Sequence, residues 1–302
     1  MMDITKVEKL WSGIDWETRY RTAWCAFPGL MERVLERLCG SPVGNQHQML
    51  QSLMRYQLAS GSVHHAGRVQ ILELGCGQSP LSAHLKLRDL TEGSVDATCM
   101  DISQACLDSA SVAFPFLHLE RQDLNHLDLG GRKFDLCIVA HCAHHIENLG
   151  HFFTVIARAL APTGLLYMND YIGPRWLTFD KEDLDLGRDY LLRIPEAQRR
   201  EAGGTVKMYP FAGSTKEALA EADPSEACRS DEVVPAMLRS FRPTSMFGYG
   251  PLLYMALEGI AQNFPDNEDS RRVLDWLWGE ECRLLLSGRL AAWFLATLGR
   301  VT

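Results

Sequence analysis

The apolar positions of this chain change their period at residue 69. Before it they recur at helical spacing: Trp11, Trp16, Tyr20 and Trp24 stand five, four and four residues apart, which predicts an aromatic stripe on one helix face. Residues 29–40 and 46–59 read as two further amphipathic helices, and 61–67 as a loop. From 69 to 170 short apolar runs alternate with helical patterns, which predicts a parallel sheet with right-handed crossovers. The strands are expected at 69–74, 95–100, 116–120, 134–140 and 165–169, with helices over 81–90, 103–113 and 149–160. Beyond 170 the alternation stops. Residues 177–194 read as an amphipathic helix and 195–212 as a loop. Asp223-Pro224-Ser225-Glu226 then predicts a helix start, with the aspartate as cap, the proline in the first turn and the glutamate reaching back. A sixth strand at 241–249, helices at 252–263 and 269–286, and a last strand at 290–298 complete the pattern.

The stretch Val69-Gln70-Ile71-Leu72-Glu73-Leu74-Gly75-Cys76-Gly77-Gln78-Ser79-Pro80 organises the rest. Its first half is apolar throughout, as in a strand buried on both faces. Its second half is a tight turn in which Gly75 and Gly77 let the backbone bend and approach a ligand. A helix N-terminus then points at that ligand. This is the nucleotide-binding corner of a doubly wound sheet. Glu73, at the strand end, is placed to meet a cationic group. The expected fold is therefore α/β, a Rossmann-like, doubly wound, seven-stranded sheet. Residues 1–65 form an N-terminal helical lid, 66–170 the nucleotide-binding core, 171–235 a helical insertion shaping a second pocket, and 236–302 the completion of the sheet.

Composition narrows the function. With 46% hydrophobic residues the chain can fill a core. A net charge of −8 argues against a broad phosphate-binding surface, so nucleic acid is not an expected partner. No apolar run reaches membrane-spanning length, and the N-terminus does not lead into a signal-like core, so no membrane partner is expected. Nine cysteines, an odd number without a Cys-x-x-Cys pair, read as reduced, buried thiols of a cytoplasmic protein. The oligomeric state, a homodimer included, is left open.

Two features separate the candidate nucleotides. A dinucleotide turn places a third glycine where this chain has Pro80, and its acidic residue follows the first glycine by roughly 20 positions. Here Asp101 follows Gly75 by 26. Both count against NAD. They fit the class I S-adenosylmethionine-dependent methyltransferases, which the chain resembles over 69–170. Glu73-Leu74-Gly75-Cys76-Gly77 resembles that family's first motif, around the methionine half of the cofactor. Asp101, followed by Ile102, matches the acidic residue that holds the ribose hydroxyls. Asp123-Leu124 matches the adenine-contacting position. Phe134–Val139, ending at Ala140, resembles the fourth strand, and Ala159–Leu166 the turn into the fifth, with Thr163 in place of one glycine. The resemblance implies S-adenosylmethionine as cofactor, a cation without phosphate that suits Glu73, Asp101 and Asp123. Residues 169–174 and 223–230 are similar to a bacterial branch with a helical insertion, whose members act on small metabolites or glycans.

The implied reaction is methyl transfer to oxygen or nitrogen of a small-molecule acceptor by in-line displacement, where alignment carries much of the catalysis and a base takes the acceptor's proton. Candidate bases lie on the loops after strands four and five. In His141-Cys142-Ala143-His144-His145, His144 or His145 is placed to act as base. Histidine and cysteine also bind zinc, but no further ligand group stands at metal-site spacing, so no metal is expected. Asp170-Tyr171 could accept a proton and orient the acceptor. In the lid, Trp16, Arg19 and Tyr20 are expected closest to the cofactor. The alternatives of a different class are an NAD-dependent oxidoreductase on the same fold and a methyltransferase-like domain that binds without catalysing.

Overall fold

The computed structural model describes residues 4–14, 16–59, 68–87 and 95–302. Helices α1 (Ile4–Ser12), α2 (Trp16–Thr22), α3 (Leu30–Cys39) and α4 (Gln46–Ala59) precede the first strand. The alternating region follows as β1 (Val69–Leu74), α5 (Leu81–Leu87), β2 (Val95–Asp101), α6 (Gln104–Ala113), β3 (His118–Arg121), β4 (Phe134–Ala140), α7 (Leu149–Ala159) and β5 (Leu160–Tyr171). Helices α8 (Lys181–Leu191), α9 (Lys216–Ala222) and α10 (Val233–Leu238) lead to β6 (Phe241–Tyr249), α11 (Pro251–Leu257), α12 (Glu268–Leu286) and β7 (Phe294–Val301). The loop expected at 61–67 and the end of the helix expected over 81–90 lie outside the described residues.

The seven strands form one mixed sheet in the order β3-β2-β1-β4-β5-β7-β6, with β7 antiparallel to both of its neighbours. The strand order reverses direction between β1 and β4, which opens a crevice at the carboxyl ends of those two strands. Along β1 the side chains alternate between two cores, Val69 and Ile71 joining one and Leu72 and Leu74 the other. Burial on both faces explains the unbroken apolar run. One face carries α3, α4 and α12, and the other α7 and α10. Gln46 Nε2 donates to the Tyr167 hydroxyl at 2.8 Å, and Gln57 Nε2 to the Asp135 carbonyl at 3.2 Å, so α4 is fastened to the sheet. No described helix is long and apolar enough to cross a membrane, and the nine cysteines, all among the described residues, form no disulfide.

Several local expectations are corrected. The aromatic stripe does not lie on one helix. Gly13 closes a turn after α1, Ala23 is extended, and Trp24 belongs to a separate 3-10 turn, so Trp11, Tyr20 and Trp24 sit on three elements. The Trp16 side chain lies outside the described set. Asp223 caps no helix. Its Oδ1 accepts from the Ser225 amide at 2.9 Å and the Ser225 hydroxyl at 2.6 Å, and Ala227 takes φ 48°, which a right-handed helix cannot continue. Trp176 and Leu177 have φ 59° and 52°, which delays the helix expected from 177 until Lys181. The last strand is displaced from 290–298 to Phe294–Val301, in antiparallel register with β6.

Candidate active site

The turn after β1 is pulled over β2, because the Gly75 and Cys76 amides both donate to the Met100 carbonyl, at 2.8 and 3.1 Å. Gly75 has φ 67°, and a Cβ there would overlap that of Cys142, so the position admits only glycine without rearrangement. Asp101 holds the turn from the neighbouring strand. Its Oδ2 accepts from the Gly77 amide at 2.9 Å and its Oδ1 from the Ser103 amide at 2.9 Å. Burial raises its carboxyl above the ordinary carboxylate range. Asp123 accepts from the Asn125 amide at 3.0 Å and lies 2.6 Å from His126 Nδ1.

Glu73 behaves differently from the expectation that its carboxylate meets a ligand cation. Its two oxygens accept from the amides of Leu81 and Ser82, at 2.7 and 2.8 Å, and so cap α5. The N-terminus of α5 is where a dinucleotide site would seat its pyrophosphate. A buried carboxylate already fills it. Anion binding there is disfavoured by charge as well as by space.

The second wall forms after β4. His141 takes φ 54°, its amide donating to the Asn169 carbonyl at 2.9 Å, and this kink turns the chain back over the end of β5. Asp170, with no exposed surface, fixes the loop from below. Its Oδ2 accepts from the Cys142 and Ala143 amides, at 2.9 and 2.7 Å, and its Oδ1 meets His144 Nδ1 at 2.6 Å. Burial alone would raise the Asp170 carboxyl. The adjoining imidazole and amides instead hold it below the ordinary range. Burial likewise pulls His144 down, but the Asp170 carboxylate on Nδ1, with Glu226 and Asp223 beyond, leaves the imidazole above its usual value. For His145, burial and the charge of His144 prevail and push it to about 4. The two rings lie 4.1 Å apart, and Trp11 meets His145 edge-on at 5.0 Å.

Between these walls lies a cavity of about 540 Å³, within the usual range of roughly 300–1,000 Å³ for small-ligand sites. It brings together Tyr20, Glu73, Gly75, Cys76, Gly77, Asp101, Ile102, Asp123, Leu124 and Ala140 with His144, His145 and Tyr171. Asp170 does not reach it; it acts on the cavity only through His144. Tyr171 lends its ring, since its hydroxyl donates to the Pro174 carbonyl at 3.0 Å. Five carboxylates line the cavity (Glu73, Asp101, Asp123, Glu226 and Glu258), whereas Arg19 is the sole lining arginine or lysine among the described residues. Such a lining suits a ligand that carries positive charge and hydroxyls and no phosphate.

Residues 72–168 match the methyltransferase domain family. Over these residues the chain carries a methyltransferase domain. Its cofactor is S-adenosylmethionine, a sulfonium and ammonium compound whose charges fit the acidic lining. The chain resembles an S-adenosylmethionine-dependent methyltransferase from Mesorhizobium loti at 17% identity, covering 85% of this chain and 98% of that one, with a TM-score of 0.46. It also resembles a TehB-like methyltransferase from Corynebacterium glutamicum (14% identity, 85% and 98% covered, TM-score 0.38). The [4+2]-cyclase SpnF is similar at 16% identity, with 90% and 93% covered and a TM-score of 0.42. No protein of curated function matches the sequence.

Several cavity residues escaped sequence reasoning. Ser225 and Glu226 looked like parts of a helix start, yet the turn closed by Asp223 carries both to the histidines. Tyr254, Glu258 and Phe294 enter from the segment expected only to complete the sheet. Nothing in their local spacing signals the cavity; α11 and β7 reach it because β7 pairs with the end of β5.

Proposed function

We propose that the protein transfers a methyl group to an oxygen or nitrogen of a small-molecule acceptor. The observation that carries this reading is the single cavity joining the glycine turn and Asp101 to His144, His145 and Glu226. The bound cofactor supplies a methyl group on a positively charged sulfur. Glu73, by capping α5, and Asp101, by holding the Gly77 amide, keep the turn in shape for the cofactor. Ile102, Leu124 and Ala140 supply apolar walls between Asp101 and the histidine loop. At the other end Trp11, Tyr171, Tyr254 and Phe294 enclose the acceptor, which is thereby expected to be largely apolar. His144 and His145 handle the acceptor's proton, with Asp170 as the positioning residue for His144.

The lid reading applies to α1 and α2. Trp11 and Tyr20 face the cavity, and α1 is held by the Glu8–Arg121 pair at 2.6 Å and by Lys6 Nζ donating to the Ala220 carbonyl at 3.2 Å. It thereby spans from the core to the 171–235 segment, which we read as the insertion shaping the acceptor pocket. A cavity of about 540 Å³ and a net charge of −8 support a small acceptor over a nucleic acid. Calorimetric titration with S-adenosylmethionine, S-adenosylhomocysteine and NADH, followed by an acceptor screen with labelled methyl donor, tests the reading. Micromolar binding of the adenosyl ligands with methylation of a phenol, alcohol or amine is expected. Binding of NADH alone would overturn it.

A further inference from the structure

His144, His145 and Glu226 each offer one ligand atom, an imidazole nitrogen or a carboxylate oxygen, and these atoms lie within 4.8 Å of one another, the one group of this kind found among the described residues. Nε2 of His144 is 3.5 Å from Glu226 Oε1, and Nε2 of His145 is 3.9 Å from Oε2. These separations are too long for good hydrogen bonds. They are close to the ~3.4 Å that separates two ligands of one cation bound tetrahedrally at ~2.1 Å.

The far side of each imidazole is equally telling. Nδ1 of His144 meets the Asp170 carboxylate at 2.6 Å, and so carries the ring proton. Nδ1 of His145 lies 3.0 Å from the Ser225 hydroxyl, which itself donates to Asp223 at 2.6 Å. With its own proton committed to Asp223, Ser225 accepts from His145, so this ring too is protonated on Nδ1. Both lone pairs therefore fall on Nε2, facing Glu226. A carboxylate or a carboxylate-backed hydroxyl behind each ring is the outer arrangement that orients metal-bound histidines and raises their basicity. Asp170 and Glu226 also place two negative charges at the cluster, matching a divalent ion. Trp11, edge-on to His145, limits the movement of that ring.

We infer that His144, His145 and Glu226 form a binding site for a divalent transition cation, of the zinc or iron(II) kind that imidazole and carboxylate ligands favour, at the acceptor end of the cavity. Three protein ligands leave a position open to the cavity. The cation would bind an oxygen of the acceptor there and raise its acidity, the proton passing to water, so that with the metal bound the two imidazoles serve as its ligands in place of serving as bases. This consequence rests on the methyltransferase reading; the site itself does not.

The test uses Co²⁺ as probe on the full-length, chelator-treated protein. One equivalent is expected to bind, with a visible absorption band of low-coordinate cobalt that Zn²⁺ abolishes. Glu226→Gln and His145→Ala should each weaken Co²⁺ binding at least tenfold, and Ser225→Ala by roughly 10- to 100-fold through the outer contact. S-adenosylhomocysteine binding by calorimetry, retained in each variant, shows that the fold is intact. Absence of a stoichiometric band in the wild type, or cobalt affinity unchanged in Glu226→Gln and His145→Ala, would overturn the site. Loss of adenosyl-ligand binding in the wild type with cobalt binding intact would instead overturn the cofactor reading alone.

Discussion

Asp170 and His144 are 26 residues apart and are joined by a 2.6 Å contact between Oδ1 and Nδ1, while the other Asp170 oxygen holds the amides of Cys142 and Ala143. One buried carboxylate thus fixes both the loop after β4 and the orientation of the imidazole that faces the cavity. Removing it and removing the imidazole are separable perturbations. Asp170→Ala leaves two buried amides without an acceptor, each costing about 1–3 kcal/mol, so a stability loss on the order of 3 kcal/mol is expected by urea titration. His144→Ala keeps those amide bonds and should lose clearly less stability while lowering turnover at least tenfold. Equal stability of Asp170→Ala and wild type would remove the clamp.

Asp101 lines the cavity and holds the Gly77 amide. Asp101→Ala should weaken S-adenosylhomocysteine binding by about 10- to 100-fold, as for loss of hydrogen bonds to a charged group. Calorimetry measures it. Unchanged affinity would take Asp101 out of the ribose role.

At Gly75, a left-handed φ and the approach of Cys142 act together. Gly75→Ala is expected to cost about 2 kcal/mol or more and to abolish cofactor binding. Cys142→Gly in the same chain relieves the overlap but not the dihedral, so a double-mutant cycle should give a favourable coupling of at least ~0.5 kcal/mol. Strict additivity would show that the dihedral alone decides.

Glu281 is buried on α12 and accepts from the Gly250 and Leu253 amides, at 2.7 and 3.0 Å, capping α11. Burial lifts its carboxyl to about 7. A carboxyl raised in the folded state contributes stability that is fully present below its unfolded value, near 4.3, and lost as pH climbs through about 7. The shift corresponds to on the order of 3 kcal/mol. Thermal melts should therefore show wild-type stability falling from pH 5 to pH 8 more steeply than that of Glu281→Gln. Parallel profiles would exclude Glu281 as the source.

Local order in the chain was enough to determine the alternating core. The apolar run at 69–74, the glycine turn, Asp101 after β2 and Asp123 after β3 are each set by neighbours a few positions away, through hydrophobic period and turn chemistry. The strands of the alternating region and the glycine-turn side of the cavity were legible for that reason. The histidine side of the cavity was decided by tertiary structure. His141 and Ala227 adopt positive φ, which side-chain-bearing residues take only where surrounding contacts impose it. Those two kinks are what bring Ser225 to His145 across 80 residues and Glu226 to both imidazoles. Asp223-Pro224-Ser225-Glu226, read by itself, satisfies every local rule for a helix start. Its turn and its place in the cavity depend on packing against a loop that lies far away in sequence.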